Sequence, residues 1–98
     1  MFHHVVSFRL KPGTDATARQ LMVEKIRELP DRIPQISSLV CGLDHGLAEG
    51  NLDVAVCVSF DGPAEYAEYA KHPVHVAVVG EFVRPYLAER VAVQFYGS

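Results

Sequence analysis

The chain has 98 residues, 49% of them apolar and 21% charged, with a formal charge of −3. That is enough for one small domain, predicted to span residues 1–98, and too hydrophobic for intrinsic disorder. The nine Lys and Arg are scattered and no apolar run approaches the ~18–20 residues of a membrane span, so neither nucleic acid nor a membrane is expected as a partner. Met1-Phe2-His3-His4 opens directly on a strand pattern without a signal peptide, which predicts a soluble cytoplasmic protein.

Residues 2–10 alternate: Phe2, Val6, Phe8 and Leu10 are apolar with His4 among them, while His3, Ser7 and Arg9 are more polar. This is a strand, stopped by Lys11-Pro12-Gly13. Within residues 15–29, Ala18, Leu21, Met22, Ile26 and Leu29 form one stripe of an amphipathic helix, with Thr14 as expected N-cap and Pro30 and Pro34 closing the segment. Residues 36–43 read as a second strand and Asp44 to Asn51 as a loop. In the third strand, residues 52–60, Leu52, Val54, Val56, Val58 and Phe60 face one way; Asp53, Ala55, Cys57 and Ser59 face the other. Asp61-Gly62-Pro63 opens a helix running to Lys71, and Pro73 forbids its smooth continuation. A further helix from Pro73 puts His75, Val79, Phe82 and Tyr86 on one stripe, ended by Pro85. Residues 90–97 are a last strand, with Val91, Val93 and Phe95 alternating against Ala92, Gln94 and Tyr96.

The order β-α-β-β-α-β predicts an α+β, ferredoxin-like fold: a four-stranded antiparallel sheet with its helices on one face. The strongly apolar sets, including Val91, Val93 and Phe95, are expected to pack on the helices. The other face carries small, weakly polar residues such as Val5, Ser7, Ala55 and Cys57, where a solvated sheet would show Lys, Glu and Thr. A second copy of the sheet is the economical cover, so a symmetric homodimer is expected.

The break at His72-Pro73 re-aims the chain so that Tyr69 and His75, which an unbroken helix would hold on different faces, converge. His4 on strand one points toward the same space. Apolar walls are expected from Val6, Phe8, Val54 and Val56 on the strands and from Val79 and Phe82 on the helix. Such a cavity suits a small molecule and proton transfer, with histidine as base or acid and a tyrosine hydroxyl donating to a carbonyl. Each polar residue also has a purely structural role open to it: His75 bonded to backbone or to His4, Tyr69 and His4 in the core, and His72 as a cap. Cys41 and Cys57, equidistant from a hairpin centred near residue 49, would stand opposite each other, and two reduced thiols are expected there. No four-ligand spacing for zinc occurs, and no metal is expected.

The opening His4-Val5-Val6-Ser7-Phe8-Arg9-Leu10-Lys11-Pro12-Gly13, the motif Tyr69-x-x-His72-Pro73-x-His75-Val76 and the closing Phe82-Val83-Arg84-Pro85-Tyr86-Leu87 resemble the stress-responsive dimeric α/β-barrel (Dabb) family over essentially the whole chain. The resemblance implies a ferredoxin-like homodimer with facing sheets, pairing as a dimeric α+β barrel. It also implies kinship with polyketide cyclases of the olivetolic acid type, which need no cofactor. By that resemblance the catalytic histidine falls on His75, the tyrosine on Tyr69 and a pocket histidine on His4; another pocket histidine of the cyclase is replaced here by Val54. The expected ligand is a small aromatic or polyketide-like molecule. Two rival readings are a non-catalytic stress-associated dimer and a cofactor-independent monooxygenase.

Overall fold

The computed structural model describes residues 1–97; Ser98, the last residue of the expected domain, lies outside the described residues. Strands β1 (Phe2–Leu10), β2 (Ser38–Leu43), β3 (Val54–Phe60) and β4 (Leu87–Tyr96) form one antiparallel sheet in the order β2-β3-β1-β4. Helix α1 (Ala16–Arg27) joins β1 to β2, while α2 (Pro63–Lys71) and α3 (Pro73–Val78) join β3 to β4. The expected ferredoxin-like fold is therefore present, with its second helix broken at His72.

The alternation in β1 and β3 builds the core. Val6, Phe8, Leu10, Val54, Val56, Val58 and Phe60 are all buried against Met22, Val23 and Ile26 of α1 and against Leu29 and Ile33. Burying one side chain of this size contributes about 1.5–3 kcal/mol. The buried stripe of α1 is rotated from the expected one: Val23 is buried and Leu21 is 38% exposed. The helix also starts one residue later than Thr14 would set. Asp15 is the N-cap, its Oδ1 accepting from Ala18 N at 2.8 Å. The Thr14 hydroxyl instead donates to Lys11 O at 2.7 Å, in the turn closed by Gly13 at φ +85°. Arg27 donates from Nη2 and Nε to Cys41 O, at 2.7 and 3.0 Å, tying α1 to β2.

Two register findings correct the sequence reading. First, β2 pairs Val40 with Cys57 and Cys41 with Val56. Directly paired residues share a sheet face. Cys41 therefore lies buried under the helices and Cys57 on the open face, both as free thiols, and no bridge can join them. The register is fixed at the loop end, where Asp44 N donates to Asp53 O at 2.9 Å.

Second, β4 pairs Val93 with Val5, Val91 with Ser7 and Phe95 with His3. Val91, Val93 and Phe95 consequently lie on the face away from the helices, 46%, 58% and 46% exposed, rather than under them. The alternating set of this edge strand is genuinely ambiguous from sequence, because pairing with β1 and not burial decides its facing. Gln94 is placed beside His4, and Arg90 beside Phe8, on the helix side. The open face is thereby more apolar than expected, joining Val91, Val93 and Phe95 to Val5, Val40 (69% exposed), Ala55 and Cys57.

After α3 the chain does not continue as a regular helix to Pro85. Val79–Val83 form a π-helical turn and Arg84–Tyr86 a 3-10 turn that contains Pro85.

Candidate functional site

The site is organised by the break between α2 and α3. His72 is extended (φ −61°, ψ 133°), as a residue before proline must be, and Pro73 fills the first position of α3. His72 Nδ1 accepts from Val74 N at 3.1 Å, so this histidine is the cap of α3. The His75 ring then turns back on α2: Nδ1 lies 3.0 Å from Ala70 O. The rings of Tyr69 and His75 come to 4.3 Å between centroids. Tyr69 is held in turn by Phe60 at 5.1 Å and Tyr66 at 6.3 Å. On β1, the His4 ring lies 5.0 Å from Tyr66 and 6.4 Å from Tyr69.

These side chains line a cavity of about 130 Å³ between the sheet and the broken helix. A volume of this order accommodates a single aromatic ring. It is smaller than the few hundred Å³ usual for a small-molecule site. Of the residues singled out in the sequence, His4, Val6, Phe8, Val56, Tyr69, His75 and Val79 line it. Val54 and Phe82 do not. Val54 is core, further along β3, and Phe82 sits in the π-helical turn with Lys25 Nζ 5.6 Å from its ring centroid. Tyr66 and Arg90 also line the cavity and were missed, as was Gln94, which reaches His4. Tyr66 precedes Tyr69 by one helical turn, a spacing that places both on one face. Arg90 and Gln94 follow only from the observed register of β4.

The hydrogen bonds assign the tautomers. A carbonyl only accepts, so the bond to Ala70 O puts the proton of neutral His75 on Nδ1 and leaves Nε2 with the free lone pair. The Gln94 amide nitrogen lies 3.0 Å from His4 Nδ1; donating there, it leaves His4 with its proton on Nε2. His75 thus offers an acceptor and His4 a donor. Among the described residues the one fully buried side-chain polar atom without a partner is Gln35 Oε1. Among the described residues, the Nε2 atoms of His75 and His4 and the Tyr69 hydroxyl find no hydrogen-bond partner.

Both cavity histidines are held neutral. Burial lowers His4 to about 4, helped by the positive charges of Arg90 and of a protonated His75. Burial also lowers His75, against the raising effect of its bond to Ala70, with Arg90 and His72 adding to the depression. Burial first, then Tyr66, pushes Tyr69 above the ordinary phenol value, so the hydroxyl stays protonated and able to donate. No group of three or more His, Cys, Asp or Glu side chains suited to a metal occurs among the described residues. No described helix is long and apolar enough to cross a membrane.

A fold of this kind with an apolar cavity under a Tyr-x-x-His-Pro-x-His break defines a class, and comparison with known proteins gives the family. The model of the Stress responsive A/B Barrel Domain (Dabb) matches residues 2–96, and the chain belongs to that family. It is similar to a dimeric ferredoxin-like protein of unknown function from Thermobifida fusca YX, with 35% identity over 96% of this chain and 88% of that one, at a TM-score of 0.88. A dimeric protein of unknown function with the same fold from Bacteroides fragilis is 25% identical over 96% and 93% of the two chains, with a TM-score of 0.78. The hydroxynitrile lyase of Passiflora edulis is 17% identical over 96% and 90%, with a TM-score of 0.83, and shares the fold. No curated protein matches the chain.

Proposed function

We propose that the protein binds a small, largely apolar carbonyl compound in the cavity and removes a proton from the carbon next to its carbonyl. The observation that carries this reading is the pairing of a lone-pair-bearing His75 Nε2, fixed by Ala70 O, with a protonated Tyr69 hydroxyl on the adjacent ring. His75 Nε2 takes the proton as general base. Charge then develops on the carbonyl oxygen, where the Tyr69 hydroxyl donates a hydrogen bond, and the His4 Nε2–H orients the substrate. In a polyketide-like substrate the resulting enolate carbon attacks a second carbonyl of the same molecule. A carbon–carbon bond forms, and the His75 imidazolium returns its proton to the new alkoxide. The lowered basicity of His75 makes its imidazolium a ready donor for that return. The working unit is a homodimer, joined through the apolar open face of the sheet. The chemistry uses only these side chains and calls for no cofactor.

The fold-matched hydroxynitrile lyase acts as a precedent for chemistry on this scaffold. The test is ligand binding followed by thermal unfolding against a panel of phenolic and polyketide-type compounds, with His75→Ala beside the wild type. A stabilising ligand whose effect or turnover is lost in His75→Ala supports the reading. A panel without a single hit, or full retention in the variant, contradicts it.

A further inference from the structure

Arg90 is the one strong cation on the cavity lining. It stands on β4 opposite Phe8, on the helix side, in a strand whose residues from Ala88 onward are exposed on that side as well. Arg90 is exposed and also lines the cavity, so the cavity meets solvent where Arg90 stands. Among the described residues its guanidinium has no partner. The ion pairs among the described residues are Arg9–Glu89, Arg19–Asp53 and Lys25–Glu28, and no side-chain hydrogen bond involves Arg90. Glu89, its neighbour in sequence, is turned to the open face, where it meets Arg9. The remaining walls are apolar, aromatic or neutral imidazole, and no carboxylate lines the cavity.

We propose that Arg90 is a specificity residue, and that the ligand of this cavity carries a carboxylate, or an equally placed anion, which the guanidinium clamps at the mouth while an apolar ring or chain fills the interior. An unpaired fork of donors beside an apolar void matches the shape of an aryl or alkyl carboxylate, and such bidentate pairs are among the strong polar contacts. A bound anion has a second effect. It offsets the charge of Arg90, which adds to the larger effect of burial in lowering both imidazoles. This inference rests on the ligand-binding reading above and narrows its substrate class.

The probes are benzoate and benzamide, nearly one shape and differing in charge, titrated calorimetrically into the dimer at low ionic strength. Wild type is expected to prefer benzoate by about tenfold or more, a preference that weakens with added salt. Arg90→Gln is expected to abolish that preference and leave benzamide binding within about twofold of wild type, since the ring contacts are untouched. Equal binding of the two probes to wild type, or an undiminished benzoate preference in Arg90→Gln, overturns the role of Arg90 while the cavity reading stands. Failure of both probes to bind wild type overturns the cavity reading and this inference with it. Circular dichroism of the variant controls for folding.

Discussion

The rings of Tyr69 and His75 lie 4.3 Å apart although a helix break separates them. The break creates the contact: His72 leaves α2 in an extended conformation, caps α3 through Nδ1, and lets His75 fold back onto Ala70 O. His72 therefore has a structural role that is measurable by itself. Replacing it with Ala removes the cap and should cost about 1 kcal/mol of stability, seen as a drop of roughly 4–8 °C in Tm. His72→Asn, which supplies a side-chain acceptor, should recover most of the loss. An Ala variant as stable as wild type would remove His72 from this account.

The neutral state of His4 predicts how stability depends on pH. Its folded value, about 4, lies below the ordinary value of 6.5. Between these two the unfolded chain binds more protons than the folded one, so stability rises with pH through that window and falls on acidification. From pH 7 to pH 5, a range above most carboxylate titration, His4 should account for a loss on the order of 2 kcal/mol. His75, lowered for the same main reason, adds in the same direction. Urea unfolding at the two pH values checks this, with His4→Gln expected to flatten the difference. An unchanged slope in that variant would place the titration elsewhere.

The open face of the sheet predicts the assembly. Val40, Val91, Val93 and Phe95 are exposed together on one face of the protomer, more apolar surface than a solvated sheet carries. Val93→Asp leaves the helix-side core untouched and buries a charge only if a second sheet packs here. Light scattering at micromolar concentration should give a dimer for wild type and a monomer, with native circular dichroism, for the variant. A wild-type monomer would contradict the arrangement.

Much of this was legible in the sequence, and the exceptions have physical causes. β1 and β3 are flanked on both sides by other strands, so their burial alternates over most of their length and their faces could be read directly. β4 is an edge strand that extends past the helices; burial does not mark its faces, and its apolar residues lie where a partner, not the helices, would cover them. That single reversal hid Arg90 and Gln94, because the alternate set to Val91, Val93 and Phe95 was expected on the face away from the helices. The convergence of Tyr69 and His75 was readable because proline enforces it locally. Phe82 was misplaced because the stripe drawn through Val79 assumed regular turns, and the π-helical turn Val79–Val83 rotates it away. The pairing of Cys41 with Cys57 failed by one residue of register, which in a sheet is enough to put two side chains on opposite faces.

The central claim, that His75 Nε2 takes a proton from carbon with Tyr69 assisting, is tested most directly by deuterium incorporation. Small phenyl ketones, some bearing a carboxylate, are incubated with the protein in D₂O, and exchange next to the carbonyl is followed by NMR. Wild type should exceed buffer. His75→Ala should fall to the buffer rate, and Tyr69→Phe, which keeps the ring and loses the hydroxyl, should lose on the order of 10²-fold. Exchange by His75→Ala as fast as wild type, or a wild type no faster than buffer across the series, would contradict the account.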